Sequence, residues 1–144
     1  MSVVKTLPVV ARAGALLPAG SAYDATGVLL PVTGATSATF WPLYTPATTA
    51  STFSLAIEVS ADGASWFPAP IADSTLAESG LTATLTNYGL VVAWPVTSGV
   101  SPLKMAVFRL DVSDWANVRI RAAETTQPGA QGTLSVTMTS TVPQ

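Results

Sequence analysis

Residues 52–60 read TFSLAIEVS. Phe53, Leu55, Ile57 and Val59 alternate with Ser54, Ala56 and Glu58. A period of two sends successive side chains to opposite faces, so the stretch predicts a β-strand with one buried and one open face. Ala61-Asp62-Gly63-Ala64 follows at once and predicts a hairpin turn, because Gly63 tolerates positive φ. Trp66 and Phe67 then open the returning strand. An antiparallel hairpin at the centre of the chain sets the expected fold class.

The same signal recurs on either side. Residues 81–86 alternate Leu81, Ala83 and Leu85 with threonines. Residues 90–96, LVVAWPV, form a nearly continuous apolar run, expected to be buried on both faces or to lie in a contact. In residues 106–112, Phe108, Leu110 and Val112 share one face, with Arg109 and Asp111 on the other. In residues 115–122, Val118 and Ile120 point inward, and Asn117, Arg119 and Arg121 outward. In residues 133–142, Leu134, Val136 and Met138 face a Thr/Ser side. Asn87-Tyr88-Gly89 and the stretch from Gln127-Pro128-Gly129 to Gly132 predict further turns. Eleven prolines and ten glycines are spread along the chain and interrupt every helical pattern. Only residues 71–79 offer a short helical turn, with Asp73 or Ser74 as its cap.

Eight to ten antiparallel strands in 144 residues must stack as two sheets or close as one. The expectation is an all-β antiparallel sandwich of jelly-roll type, with a Greek-key or immunoglobulin-like sandwich as the alternative. Residues 1–20 are expected to be an extended N-terminal arm, with Pro8 and Pro18 fixing its geometry. Residues 21–144 are expected to form the sandwich domain. The opening residues loosely imitate a secretory signal, but Pro8, Arg12 and Gly14 break the apolar run. No stretch approaches the 18 apolar residues of a membrane helix, so no membrane partner is expected.

Charged residues are 10% of the chain, against about 25% in an ordinary soluble domain. Sparse charge fits either a plain neutral Ser/Thr surface or surface covered in an assembly, and the second is the expectation here, because uncharged interface cores are its usual compositional signal. The net charge is -2 and the six cations are scattered. Nucleic-acid binding needs clustered Lys and Arg, so that role is not expected. The chain has no Cys and no His. Thiol nucleophiles, imidazole bases and Cys/His zinc sites are excluded. Ser101-x-x-Lys104 would need to open a helix to act as a nucleophile motif, and Pro102 argues against that. The carboxylates Glu58, Asp62, Asp73, Glu78, Asp111, Asp114 and Glu124 fall in turns or at outward strand positions. They are expected to be solvated or paired with Arg rather than to make a glycosidase pair. Crowded oxygens at 111–114 and 73–78 resemble no calcium loop. The expectation is therefore no catalytic residue, no metal and no cofactor.

Residues 58–68, EVSADGASWFP, and residues 115–141, WANVRIRAAETTQPGAQGTLSVTMTST, carry a resemblance. The first is similar to a hairpin of β-sandwich proteins in bacteriophage virions, also seen in some cell-surface and carbohydrate-binding sandwiches. The second is similar to the closing hairpin of such virion domains. The whole resembles the jelly-roll capsid decoration (cement) proteins of tailed phages. That resemblance implies a virion structural protein on the head surface. It would bind the major capsid protein or other virion proteins, commonly as a homo-trimer, with a terminal arm reaching to neighbours. The residues expected to make contacts are Val3, Val4, Leu7, Val9 and Val10 on the arm, and Trp41 and Trp94, each of which precedes a proline as at a strand edge. The alternatives are a tail, neck or baseplate protein, and a carbohydrate-binding module using Trp41, Trp66 or Trp94.

Overall fold

A computed structural model of the chain describes residues 3–20, 22–47, 52–69, 82–86, 89–94, 102–124 and 130–144. The expected short helix at 71–79 and the turns at 87–88 and 127–129 lie outside the described residues.

Twelve strands and no helix make up the described fold. One sheet contains β1 (Val3–Lys5), β2 (Val9–Leu16), β4 (Ser37–Thr45), β9 (Leu103–Lys104), β10 (Phe108–Asp111) and β12 (Thr133–Pro143). The other contains β3 (Leu30–Pro31), β5 (Phe53–Ser60), β6 (Phe67–Pro68), β7 (Thr82–Thr86), β8 (Gly89–Ala93) and β11 (Asn117–Glu124). Every pairing is antiparallel. In the first sheet the backbone order is β1-β12-β4-β10, with β2 also on β12 and β9 also on β4. In the second it is β3-β11-β5-β8-β7, with β6 also on β5.

The inward faces meet in one core. Its spine is a run of aromatic rings contributed by both sheets. Tyr44 and Phe40 come from β4, Phe108 from β10, Phe53 from β5, and Trp94 from just beyond β8. Tyr44–Phe53, Phe53–Trp94 and Phe40–Phe108 have ring centroids 4.8 Å apart, and Trp94–Phe108 5.3 Å. Such pairs add about 0.5–1.5 kcal/mol each beyond their area burial. Leu55, Ile57, Leu110, Ile120 and Leu134 fill the space around them.

Pro42 shapes the first sheet. Its carbonyl accepts from Met105 N at 3.1 Å, so its missing N–H faces the same neighbour. The ladder breaks there. β10 pairs with residues 37–40 of β4 and β9 with residues 43–44. Three residues (105–107) oppose two (41–42), which is a bulge. The bulged Ala106 carbonyl accepts the Trp94 indole N–H at 2.7 Å.

Two expectations are altered. The N-terminal residues are extended but do not stand away from the domain. β1 pairs with residues 141–143 of β12 and β2 with residues 133–138, so both complete the first sheet. The extended geometry expected from Pro8 and Pro18 is also what lets the segment add to a Thr-rich strand. And β5 is buried on both faces, not one. Its outward Glu58 lies under Arg119 and Arg121, and its Ser54 lies 3.4 Å from the Tyr23 hydroxyl.

Candidate interaction surface

The carboxylates divide by environment. Glu58 on β5 accepts from Arg119 of β11 at 2.6 and 2.9 Å and from Arg121 of the same strand. Arg119 lies opposite Glu58 in the register. The Arg119 guanidinium also sits 4.4 Å over the Trp66 ring, and Arg121 5.9 Å over Tyr23. Trp66 thus packs on the sheet end as its position after the turn suggests.

Glu124 departs from the expectation of a surface carboxylate. It is 1% exposed and faces inward, in phase with Val118, Ile120 and Ala122. Its Oε1 accepts from the Tyr44 hydroxyl at 2.7 Å and from Gly132 N at 2.8 Å. A Cβ on Gly132 would come within 2.7–2.8 Å of Glu124 Oε1, Thr45 O and the Tyr44 ring. The glycine is required by that close approach.

Asp62 Oδ1 caps its own turn. It accepts from Ser65 N at 2.7 Å, Ala64 N at 2.8 Å and Ser60 Oγ at 3.0 Å, while Gly63 takes φ 77°. The Ser65 and Ala64 amides hold its carboxyl well below the usual range. Asp111 is lowered by the Ser113 hydroxyl and then by its amide. Among the described residues, no group of three or more acidic side chains could hold a metal ion. Among them, too, no helix is long and apolar enough to cross a membrane.

The surface that stands out is the edge where β1 and β2 meet the segment leading to β3. Asp24 anchors that segment. Its N–H donates to Ala122 O at 2.9 Å, and its Oδ2 accepts from Ala122 N at 2.9 Å. The same carboxylate takes Arg12 of β2 bidentately, at 2.8 and 3.0 Å. Arg12 thereby ties β2 of one sheet to β11 of the other. Bidentate pairs of this sort are geometrically specific as well as strong. Gly27 then runs so close to β11 that a Cβ would meet Ile120 O at 2.5 Å. The chain turns outward from there and presents Val28 and Leu29.

Val28 and Leu29 share with Val9 and Val10 a groove of about 320 Å³, floored by Leu30 and Met138. All four are exposed, as is Val4, and Leu7 between β1 and β2 is 85% exposed. Val9, Val10, Val28 and Leu29 thus leave apolar side chains gathered at the surface. Of the residues expected at contacts, Val4, Leu7, Val9 and Val10 fall on this edge. For Val3 only the backbone is described, opposite Pro143. Trp41 is elsewhere, on the outward face of β4. It is 47% exposed and donates through Nε1 to Thr139 Oγ1 at 3.0 Å. Trp94 is 1% exposed and belongs to the core. Regular pairing does end at Trp94, but the chain turns its ring inward between Phe53 and Phe108. Val28 and Leu29 were missed by sequence reasoning. The apolar run Val28-Leu29-Leu30 before Pro31 was their signal.

No protein-family model matches the sequence, and no curated protein matches it. Among solved structures, the crystal structure of the SPBc2 prophage-derived protein YomS is similar, with a TM-score of 0.50. The likeness covers 98% of this chain and 96% of that one, at 11% sequence identity. At that identity it shows the fold alone, shared from end to end.

Proposed function

We propose that this chain is a structural protein of a tailed-phage virion that decorates the outside of the head, binding the major capsid protein. The observation that carries the reading is the exposed apolar edge formed by Val4, Leu7, Val9, Val10, Val28 and Leu29, on a chain with 10% charged residues. The prophage origin of YomS, which has the same fold, supports the phage assignment. In this reading the sandwich is of the jelly-roll type, and the N-terminal residues act from their place along β12 rather than as a free arm. Each contact is weak by itself. Repetition over a symmetric lattice makes the sum strong.

The test is a double variant, Leu7→Lys with Val10→Lys. Both side chains are exposed, so far-ultraviolet circular dichroism should be unchanged. Occupancy on particles, measured by co-sedimentation, should fall at least tenfold. Unchanged occupancy would overturn the reading. Copy number separates head from tail: hundreds per particle fit the head lattice, a few dozen fit the tail axis.

A second reading has one observation in its favour. Trp41 lies exposed beside a groove of about 400 Å³ lined by Leu43, Lys104 and Val107. That is the setting of a sugar-stacking ring in a carbohydrate-binding module. Quenching of tryptophan fluorescence on titration with polysaccharide would support it, and no change would remove it.

A further inference from the structure

The outward face of the first sheet carries a recess of about 370 Å³ whose five lining residues are all polar: Thr36, Ser37, Arg109, Asp111 and Ser113. The strand phases bring them together. Ala38 and Phe40 of β4 point into the core, so Ser37 and Thr39 point outward. On β10, Arg109 and Asp111 point outward in turn with buried Phe108 and Leu110. Ser37 stands opposite Asp111 on one side and Thr141 on the other, and Arg109 stands opposite Thr39. Ser37 is only 3% exposed and forms the floor of the recess. Its Oγ has no hydrogen-bond partner among the described residues, and no other buried side-chain oxygen or nitrogen among them is left so. A buried hydroxyl in that condition costs stability and calls for an explanation.

The other groups keep hydrogen-bonding capacity toward the outside. Thr36 Oγ1 donates to Thr141 O at 3.2 Å, and the Ser113 hydroxyl and N–H donate to Asp111 Oδ1. Both hydroxyl oxygens retain lone pairs that can accept. Arg109 makes no ion pair among the described residues. The Ser113 hydroxyl, then its amide and Arg109, hold the Asp111 carboxyl below the ordinary range. The recess thus offers one cation, one anion and three hydroxyls. A phosphate would meet Asp111, and a metal ion would meet Arg109. What suits all five residues is a neutral ligand whose own groups both donate and accept, which is what a sugar hydroxyl does. Trp41 lies on the same face of β4, four positions from Ser37 and so about 13 Å away. Its indole N–H is taken by Thr139 Oγ1, so the ring presents its face. An aromatic face suits the C–H side of a sugar ring, and Thr39 and Thr139 line the way between the two places.

We propose that the outward face of the first sheet binds a neutral oligosaccharide, the hydroxyls of one ring held in the recess by Ser37, Arg109 and Asp111, and another ring of the same chain stacked on Trp41. The ligand supplies the partner that Ser37 Oγ lacks. The inference rests on the carbohydrate reading of Trp41 for the stacking place only, and the polar recess stands apart from it. It uses neither Leu7 nor Val10, and it does not depend on the virion reading.

The test is titration of the isotope-labelled full chain with maltohexaose, cellohexaose and chitohexaose, and separately with sodium phosphate, calcium chloride and glycine, followed by NMR. At least one of the oligosaccharides should give saturable shifts at the amides of Ser37, Arg109, Asp111 and Ser113 and at the Trp41 indole. Arg109→Ala and Asp111→Asn should each weaken that binding about tenfold or more, as the loss of a charge-assisted hydrogen bond implies. Ser37→Ala should weaken it about threefold or more while raising the urea midpoint of the free chain, because it removes a hydroxyl that has no partner there. A serine with a merely structural role would not do both. Shifts confined to Trp41, Leu43 and Val107 would overturn the proposal and leave the Trp41 reading standing. No shift with any of the oligosaccharides would overturn both. Saturation of the recess by phosphate, calcium or glycine and by no sugar would overturn the ligand class, and wild-type affinity in Ser37→Ala would overturn the site.

Discussion

Gly132→Ala should be strongly destabilising, although the same exchange in an open strand is mild or favourable. Gly132 has no positive φ, so alanine meets no backbone penalty. Its added Cβ would meet three atoms at 2.7–2.8 Å, and none can retreat freely. Thr45 O is backbone in β4. The Tyr44 ring is packed 4.8 Å from Phe53. Glu124 Oε1 is held by the very N–H and hydroxyl that the methyl group would push apart. Overpacking of this kind costs about 1–3 kcal/mol, and weakening a hydrogen bond to a buried carboxyl adds about 1–3 kcal/mol. The lower entropy of the unfolded alanine chain offsets about 0.4–1 kcal/mol. The net expectation is a loss of about 1–5 kcal/mol, centred near 3. Gly14→Ala is the control, because its Cβ would find only Ser135 Cβ at 3.7 Å, an ordinary contact. It should be neutral or stabilising by up to about 1 kcal/mol. Urea unfolding midpoints at constant slope measure both. A Gly132→Ala midpoint equal to wild type, or equal losses at the two sites, would refute the close-packing account.

Two further outcomes follow from the charged groups. Glu58→Gln removes the shared partner of Arg119 and Arg121, and should cost about 1–3 kcal/mol, since the guanidinium groups retain some access to water; a loss under about 0.5 kcal/mol in the same unfolding assay would show the pairing to be incidental. Asp62→Ala tests the turn. A carboxyl whose folded pKa is depressed contributes stability above its unfolded pKa and loses it as pH falls toward the folded value. The gap between wild type and Asp62→Ala should be full at pH 7 and shrink below about pH 4, and a gap that is constant from pH 7 to pH 2 would contradict the assignment.

The strands were legible where alternation is strict. TFSLAIEVS predicted β5, residues 115–122 most of β11, and residues 133–142 nearly all of β12. Local pattern sufficed there because each strand presents one apolar face. It failed where a partner distant in sequence decides the environment. Ser54 and Glu58 read as open-face residues and are covered by Tyr23, Arg119 and Arg121. Glu124 read as a surface acid, yet its phase with Val118, Ile120 and Ala122 already placed it inward. Trp94-Pro95 read as an edge, and β8 does end at Ala93, but the indole turned inward and found its acceptor in the bulged Ala106 carbonyl. Of the surface, the N-terminal half was visible as exposed valines and Leu7. Val28 and Leu29 join it only because Asp24 and Gly27 fix their segment against β11.

The break at Pro42 bears on what this side of the sheet offers to other chains. A long straight edge strand offers unpaired amides to any other chain and invites fibre growth. Beside Pro42 that edge is cut into the two residues of β9 and the four of β10, with a bulge between them. Neither piece is a good template for another strand. The proline thus denies runaway polymerisation on this side through the backbone, and leaves recognition there to side chains, which can discriminate one partner from another.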